Sequence, residues 1–264
     1  MESSRIRNLH LESELFFPIH PLCERLSGKN WPGCEALNRL AGPLHNANGL
    51  PVQFVEDCGD PLGYERRIYL RGEVETRAHS WHDLFNALVW MTFPKAKSRL
   101  NLLHFEEICN QPDKRRSRMR DIATLFDESG VIIASSSETL SGMLKAFEWK
   151  CLFWENRAKV IDEMRCYIFG HGLYEKGLSP FIGLTGHAIL FPVDKSFFGW
   201  PIRKQLAHLD ERFESQFSEI ASTRDFSPLP LLGVPGWAAE NESAAYYDNE
   251  SYFRKGRTFR NASD

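Results

Sequence analysis

The chain has 264 residues, of which 42% are hydrophobic, 12% aromatic and 25% charged. This composition excludes collagen-like, low-complexity and disordered proteins, because it supplies ample material for a hydrophobic core. The 32 Lys and Arg residues nearly balance the 35 Asp and Glu residues. The net charge of −3 therefore predicts no global attraction to nucleic acid or to anionic lipid.

The N-terminus and the cysteines predict a cytoplasmic protein without a membrane span. Charges interrupt residues 1–17 before an apolar stretch develops, which is unlike a secretory signal. The longest mainly apolar run, 84–93, is far shorter than the roughly 20 residues that cross a bilayer. The six cysteines are scattered and form no CxxC pair, which favours reduced thiols over a disulfide scaffold.

The first part of the chain predicts short elements. Five prolines make residues 1–60 an irregular N-terminal segment, in which a short helix is predicted over 34–40. β-Branched and aromatic residues mixed with charges over 64–76 predict a strand or hairpin with one wet face. The next segment, 81–91, is predicted to be a helix between the N-cap Ser80 and a proline stop signal.

The middle of the chain alternates between helix and strand patterns. Apolar spacing predicts a helix over 96–108. Two strands, 122–127 and 131–135, are predicted to flank a tight turn at Glu128-Ser129-Gly130. Further predictions are a helix over 139–164, a strand over 166–169, a turn or a helix start at Gly170, a strand over 183–193 and a helix over 203–220.

The composition changes at Ser227, where prolines and glycines accompany many apolar side chains. A flexible tail would lack these side chains, so we expect residues 227–264 to wrap over the body in extended form. No repeat and no Gly/Ser-rich linker divides the chain. We predict a single α+β domain, in which the N-terminal segment and the C-terminal wrap pack on a core of 61–226 with helices on a small sheet.

Three pairs of polar residues have helical spacing in largely apolar surroundings. Imidazole and carboxylate groups bind zinc, iron or manganese, and they act as general acids and bases near neutral pH. The short connection between the helices predicted over 81–91 and 96–108 would let their polar pairs face each other. The pairs are His82 with Asn86, Asn101 with His104, and His171 with Glu175, and Asp83 lies beside the first.

Each pair also has a purely structural interpretation. His82 could be a core histidine, and Asn101 with His104 could be a buried hydrogen-bonded pair. Glu175 could lie on a solvated surface. On a strand, Asp121 and Asp127 would share one face and could bind a metal ion, whereas turn chemistry would explain Asp127 equally well.

The charge balance conceals a basic segment, 95–120, with eight basic and three acidic residues. Its charge of +5 leaves −8 for the remainder of the chain. Such a segment could attract a small anionic substrate or the backbone of nucleic acid, or it could be a solvated loop.

Two functional hypotheses follow from these observations. The first is a hydrolase-like enzyme, metal-assisted or acid/base, that acts on a small anionic substrate. The alternative is a non-catalytic protein that binds nucleic acid or an acidic partner through the basic segment. The oligomeric state is not predicted. The enzyme hypothesis assigns catalysis to His82, Asp83, His171 and Glu175, a divalent zinc, iron or manganese ion to His82, His104, His171 and Asp127, and substrate binding to Asn86, Arg118 and Arg120.

Several blocks of the sequence resemble a known bacterial family, the domain-of-unknown-function family 3025. The blocks are WHDLFNALVWMTFPKAKSRLNLLH, RDIATLFDESG, FGHGLYEKGLSPFIGLT, and LPLLGVPGW followed by YYDNESYFR. They cover about residues 64–254, and Ser80 stands where relatives are expected to carry Asn. The resemblance implies a bacterial cytoplasmic protein, and it brings no established activity, cofactor or catalytic residue.

Overall fold

The computed structural model describes residues 13–26, 30–56, 59, 61–110 and 117–256. Over these residues the chain forms helices packed on a small sheet around one hydrophobic core. The predicted α+β class is confirmed. Among the described helices, none combines the length and the apolar character needed to cross a membrane.

The strands form two sheets. They are β1 (Gln53–Val55), β2 (Glu73–Glu75), β3 (Gly130–Ser135), β4 (Met164–Ile168), β5 (Thr185–Pro192) and β6 (Ser227–Pro230). β1 and β2 form a parallel pair, and the other four have the order β4-β3-β5-β6. β3 is antiparallel to β4 and parallel to β5, while β6 is antiparallel to β5. All residues of β3 are buried, as expected for an apolar central strand covered on both faces.

The helices are α1 (His20–Arg25), α2 (Cys34–Ala41), α3 (Tyr64–Arg71), α4 (Trp81–Thr92), α5 (Pro94–Asn110), α6 (Arg118–Ser129), α7 (Glu138–Lys145), α8 (Arg157–Glu163), α9 (His171–Gly177) and α10 (Ile202–Phe217). Helix α4 packs against α5 and α9, and α6 packs against the same two helices. These four helices therefore surround one region, which holds the candidate site.

The start of α4 agrees with the prediction from its cap. The Ser80 hydroxyl accepts a hydrogen bond from the backbone N–H of Asp83, which satisfies one of the open donors of the first turn. The helix ends before Phe93, and Pro94 begins α5 at a position where its missing N–H costs nothing. The second helix is longer than predicted, because α5 also includes residues 94–95 and 109–110.

A side chain of α10 caps the N-terminus of α5. The Asp210 carboxylate accepts hydrogen bonds from the backbone N–H groups of Lys95, at 3.0 Å, and Ala96, at 2.8 Å. Burial raises the pKa of Asp210 to about 6, against the opposing effect of these two hydrogen bonds. The contact fixes the start of α5, which carries part of the site.

The raised pKa of Asp210 predicts a pH-dependent stability. Between a pKa of roughly 4 in the unfolded chain and about 6 in the fold, the folded state holds more protons. The free energy of unfolding should therefore fall as pH rises through this window. Relative to Asp210→Asn, which does not titrate, the wild type should lose about 2 kcal/mol between pH 4.5 and 7.5. Urea unfolding at both pH values measures this difference, and a constant difference would contradict the prediction.

The predicted strand or hairpin over 64–76 is wrong over most of its length. Helix α3 occupies 64–71, and only β2 is extended. Gly72 ends the helix in the left-handed conformation, with φ 73°, and its N–H donates to the Ile68 carbonyl. A Cβ at Gly72 would lie 2.1 Å from the Pro51 carbonyl oxygen, so the close approach also requires glycine.

The predicted strand over 122–127 is also wrong, because this segment lies in α6. The buried residues Ile122, Ala123 and Phe126 follow helical spacing, and the Ser117 hydroxyl accepts from the N–H of Arg120. The helix runs directly into β3, so Glu128-Ser129-Gly130 is not a hairpin turn. Asp127 is consequently a helix residue, and it shares no strand face with Asp121.

The single helix predicted over 139–164 is divided into three parts. Helix α7 ends before Phe147, which has a φ of 60°, a π-helical turn covers 151–155, and α8 follows. The strand predicted over 166–169 corresponds to β4, which begins at Met164. The predicted strand over 183–193 and helix over 203–220 are confirmed as β5 and α10.

Residues 227–256 pack over the body, and 257–264 of the predicted wrap lie outside the described residues. Only β6 is a strand, and the residues that follow form short 3₁₀ turns rather than an extended segment. The side chains of Trp237, Tyr247, Tyr252 and Phe253 are buried. The Tyr252 hydroxyl donates to the Leu184 carbonyl while accepting from the N–H of Leu232. The C-terminal segment therefore forms part of the core packing and one edge of the sheet.

Candidate functional site

A polar cavity of about 290 Å³ opens where α3, α4, α5, α6 and α9 meet. Its lining combines imidazoles, carboxylates, a phenol and a guanidinium, which is the mixture expected of a site that performs chemistry. The lining residues are Tyr64, Glu65, Glu75, Arg77, His82, Asp83, Asn86, His104, Thr124, Asp127, Glu128 and His171.

Two histidines and one glutamate converge at the wall of this cavity. The Nε2 atoms of His82 and His171 are 3.0 Å apart, and Oε1 of Glu128 lies 3.8 Å from the first and 3.6 Å from the second. A triangle with these sides has a point about 2.0 Å from each corner, which matches the roughly 2.0–2.2 Å between zinc and its nitrogen or oxygen ligands. The three side chains are therefore spaced as metal ligands.

The sheet register brings two of these ligands together. Glu128 is two residues before β3, and His171 is three residues after β4. Because β3 and β4 are antiparallel, with Val131 opposite Ile168, the start of one strand and the end of the other lie at the same edge. His82 reaches the same point from the first turn of α4, which packs on α9.

Two glycines allow α9 to approach α6 closely enough for this contact. A Cβ at Gly170 would lie 2.5 Å from the Ser129 backbone nitrogen, and one at Gly172 would lie 2.6 Å from Oε2 of Glu128. Both distances are shorter than real Cβ contacts, so a larger residue would push the helices apart. The Phe-Gly-His-Gly sequence thus places His171 beside Glu128.

Substitution of Gly170 tests the importance of this close approach. In Gly170→Ala the new methyl group meets backbone atoms of α6 that cannot move independently, so we expect a loss of about 1–3 kcal/mol in unfolding free energy. Gly142→Ala is the matched control, because a Cβ at Gly142 in α7 meets nothing within 4 Å. Urea denaturation of both variants measures the effect, and equal stabilities would contradict the packing argument.

Each histidine has a carboxylate beside its other ring nitrogen. Oε2 of Glu175 lies 3.0 Å from Nδ1 of His82, and Oδ2 of Asp127 lies 3.8 Å from Nδ1 of His171. The Glu175 carboxylate favours the ring hydrogen on Nδ1 of His82, which leaves the Nε2 lone pair of that ring for a metal. Nδ1 of His171 is buried without a hydrogen-bond partner, so Asp127 acts on this ring through its charge. The two Nε2 atoms, 3.0 Å apart, form a hydrogen bond when one of them carries the ring hydrogen, and a bound cation would take the place of that hydrogen.

The protonation states of the cluster also suit a cation. Burial, supported by the charges of Lys97 and His82 and opposed by Asp127, lowers the pKa of His171 to about 3. The imidazole is therefore neutral at physiological pH, which is the form that binds metal. Burial raises the pKa of Glu128, and the charges of His82 and Lys97 oppose this shift.

A buried lysine holds the carboxylate behind His171. Nζ of Lys97 donates to Oδ1 of Asp127 at 2.6 Å and to Oδ1 of Asn86 at 2.8 Å, and the Asn86 amide donates to the Tyr64 hydroxyl at 2.7 Å. Burial opposes ionisation of Asp127, but the charge of Lys97 and the hydrogen bond that it donates hold the pKa of Asp127 below the usual value. The network fixes Asp127 as an anion beside the site.

His104 lies in a second polar group of the same cavity. Its Nε2 is 4.0 Å from Oε1 of Glu65, and the Asn101 amide donates to Oε2 of Glu65 at 2.8 Å. The buried Nδ1 of His104 and Oδ1 of Asn101 have no hydrogen-bond partner. Asn101 and His104 are therefore joined through Glu65 rather than to each other.

The structure gathers most of the residues predicted as site residues, although in different combinations. His82, Asp83, Asn86, His104, Asp127 and His171 line the cavity, and Glu175 contacts His82. Asp83 forms an ion pair with Arg77, while Asn86 contacts Lys97 rather than Asn101 or His104. Arg118 and Arg120 are not among the lining residues.

Several residues of the site were not predicted from the sequence, among them Arg77, Glu75 and Thr124 of the cavity lining. Glu128 was assigned to a turn, and Lys97 was counted only as part of the basic segment. Tyr64 and Glu65 were assigned to the predicted strand or hairpin over 64–76. The helical spacing of Ile122 and Phe126 was the available signal for α6. It would have assigned Glu128 to that helix, beside Asp127, instead of to a turn.

Part of the basic segment is neutralised within the fold. Lys95 pairs with Glu211, Lys97 with Asp127, and Arg99 with Glu214. Residues 111–116, which include Lys114, Arg115 and Arg116, lie outside the described residues. Binding of nucleic acid or an acidic partner through this segment therefore stays a prediction.

Fold and site together define an α+β protein with two histidines and one glutamate clustered in a polar cavity. A family model described as "Protein of unknown function (DUF3025)" matches residues 52–257, so the chain belongs to this family, as the sequence blocks indicated. The match includes His82, Glu128 and His171. Neither the curated proteins nor the solved structures contain a match to this chain.

Proposed function

We propose that this protein is a metal-dependent hydrolytic enzyme in which His82, Glu128 and His171 hold one divalent ion. The proposal depends on one observation, the spacing of these three donor atoms around a common point at the cavity wall. Two histidines and one carboxylate are a ligand set of catalytic zinc hydrolases, which leave a further coordination position for water or substrate. Iron and manganese accept the same donors.

The bound ion would supply the nucleophile. A zinc ion lowers the pKa of a coordinated water to about 7, so that hydroxide is available near neutral pH, and it also polarises a carbonyl or phosphoryl oxygen. Glu175 would orient His82 through its Nδ1 atom, and the charge of Asp127 would lie behind His171. We assign the transfer of a proton to His104, which lines the cavity and faces Glu65.

The cavity sets the size of the substrate. A volume of about 290 Å³ lies at the lower end of small-molecule sites, which supports a small substrate rather than a polymer. The lining contains five carboxylates and one basic residue, Arg77, so the cavity itself favours a cation before any substrate enters.

Metal titration tests the proposal directly. Tag-free protein would be stripped with a chelator and titrated separately with Zn²⁺, Mn²⁺ and Fe²⁺, and bound metal counted by elemental analysis. We expect one ion per chain, and none in the variant that combines His82→Ala, Glu128→Gln and His171→Ala. Absence of stoichiometric metal in the wild type, or equal binding by the variant, would overturn the proposal.

A reactivity screen tests the hydrolytic part. The metal-loaded protein would be assayed against small esters, amides and phosphoesters, with chelator-treated protein and the triple variant as matched controls. We expect turnover of one class that is lost in both controls and restored to the wild type by metal. A metal-loaded protein that hydrolyses no class would reject hydrolysis while leaving the metal site intact.

A further inference from the structure

We infer that Arg77 binds a carboxylate group of the substrate, so that the substrate is a small carboxylic acid whose scissile group reaches the metal. This inference rests on the proposed function, because it places one end of the substrate at the ion held by His82, Glu128 and His171. Arg77 is the lining residue that carries a positive side chain in the described part of the cavity.

The guanidinium of Arg77 is held in a fixed orientation. Oδ2 of Asp83 accepts from the backbone N–H of Arg77 at 2.7 Å and from its Nε at 2.8 Å, and Oδ1 accepts from Nη2 at 2.9 Å. Asp83 is buried, while the Arg77 side chain is 61% exposed. A guanidinium that is already oriented loses little conformational entropy when it binds a planar carboxylate.

The position of Asp83 joins this arginine to the metal cluster. Asp83 follows His82 in the first turn of α4, where its N–H donates to the Ser80 hydroxyl. The same helical turn therefore positions a proposed metal ligand and the carboxylate that orients Arg77. The two positive centres, the ion and the guanidinium, would face one cavity at neighbouring places on its wall.

The surrounding charges favour a carboxylate over a phosphate. Other lining carboxylates have partners of their own, since Asp127 pairs with Lys97, Glu75 lies 3.5 Å from Arg67, and Glu65 accepts from Asn101. Because Asp83 also balances the charge of Arg77, the lining is acidic overall, and it repels the two charges of a phosphate more strongly than the single charge of a carboxylate.

Dicarboxylate binding tests this inference. Affinities of acetate, malonate, succinate and inorganic phosphate for the zinc-loaded protein would be measured by isothermal titration calorimetry. Acetate can reach only one positive centre, whereas a dicarboxylate of suitable length can reach both. We expect the best dicarboxylate to bind at least about tenfold more tightly than acetate, the size expected for hydrogen bonds between charged groups.

Variants separate this inference from the proposed function. In Arg77→Gln the dicarboxylates should bind no more tightly than acetate binds to the same variant, and Arg77→Lys, which keeps the charge beside Asp83, should retain part of the difference. Arg66→Gln is the control, because Arg66 is an exposed residue of α3 outside the cavity lining. A dicarboxylate advantage that is absent, or that survives in Arg77→Gln, would overturn the inference. So would phosphate binding more tightly than every dicarboxylate. Failure of zinc to bind at all would instead reject the proposed function.

Discussion

Replacing His171 with alanine should abolish tight zinc binding by the folded protein. The substitution removes one of three ligands, so the loss should exceed the roughly 10- to 100-fold effect of removing an outer-shell partner. Zinc at 100 times its Kd should stabilise the wild type by about 2.7 kcal/mol, seen as a rise in Tm, and should leave His171→Ala unchanged. Zinc titration and thermal unfolding measure the two effects.

Two further variants provide an intermediate effect and a control for this result. Glu175→Ala removes the carboxylate beside Nδ1 of His82 and should weaken zinc binding by about 10- to 100-fold. His20→Ala, in α1 and outside the cavity lining, should bind zinc like the wild type. An equal zinc-induced rise in Tm for wild type and His171→Ala would show that the ion binds elsewhere.

Replacing Lys97 with methionine should be among the most destabilising single changes. The Lys97 side chain is only 5% exposed, and its removal leaves Asp127, whose side chain is 20% exposed, without its cationic partner. Removing one member of a buried ion pair costs about 3–5 kcal/mol, a large part of the roughly 5–15 kcal/mol that stabilises a typical domain. Urea denaturation in the presence of chelator measures this loss without a contribution from metal.

A double substitution distinguishes the loss of charge pairing from a simple packing defect. Lys97→Met combined with Asp127→Asn removes both charges, so it should be more stable than Lys97→Met alone. If the double variant is the less stable of the two, the cost lies in packing rather than in an unpaired Asp127. A loss below about 1 kcal/mol in the single variant would show that Asp127 is well solvated.

The parts of the fold that followed from the sequence are those with local signals. Ser80 and Pro94 mark the two ends of α4, and continuous apolar residues identify β3 and β5. Helices α3 and α6 were misassigned because their aromatic and β-branched residues suit strands. Their helical state depends on tertiary contacts, such as the packing of Phe126 among other aromatic rings.

The candidate site was only partly predictable, because it depends on contacts between distant residues. His82 and His171 were each visible as polar residues in apolar surroundings, but no local pattern encodes their Nε2 contact across 89 positions. The burial of Lys97 was equally hidden, since a lysine in a basic segment is normally solvated. The sequence shows Gly170 and Gly172, but their role in the close approach of α9 to α6 follows only from the position of α6 in the fold.

The antiparallel pairing of β3 and β4 has a consequence for variation in chain length. Residues 136–163 connect the end of β3 to the start of β4. These strand ends lie opposite to the ends that adjoin Glu128 and His171. An insertion within it should leave the spacing of the two ligands unchanged. One extra residue between Glu128 and Val131 would instead shift α6 by one position relative to β3, and so displace Glu128 from His171. We therefore expect the site to tolerate insertions at one end of the β3–β4 pair and not at the other.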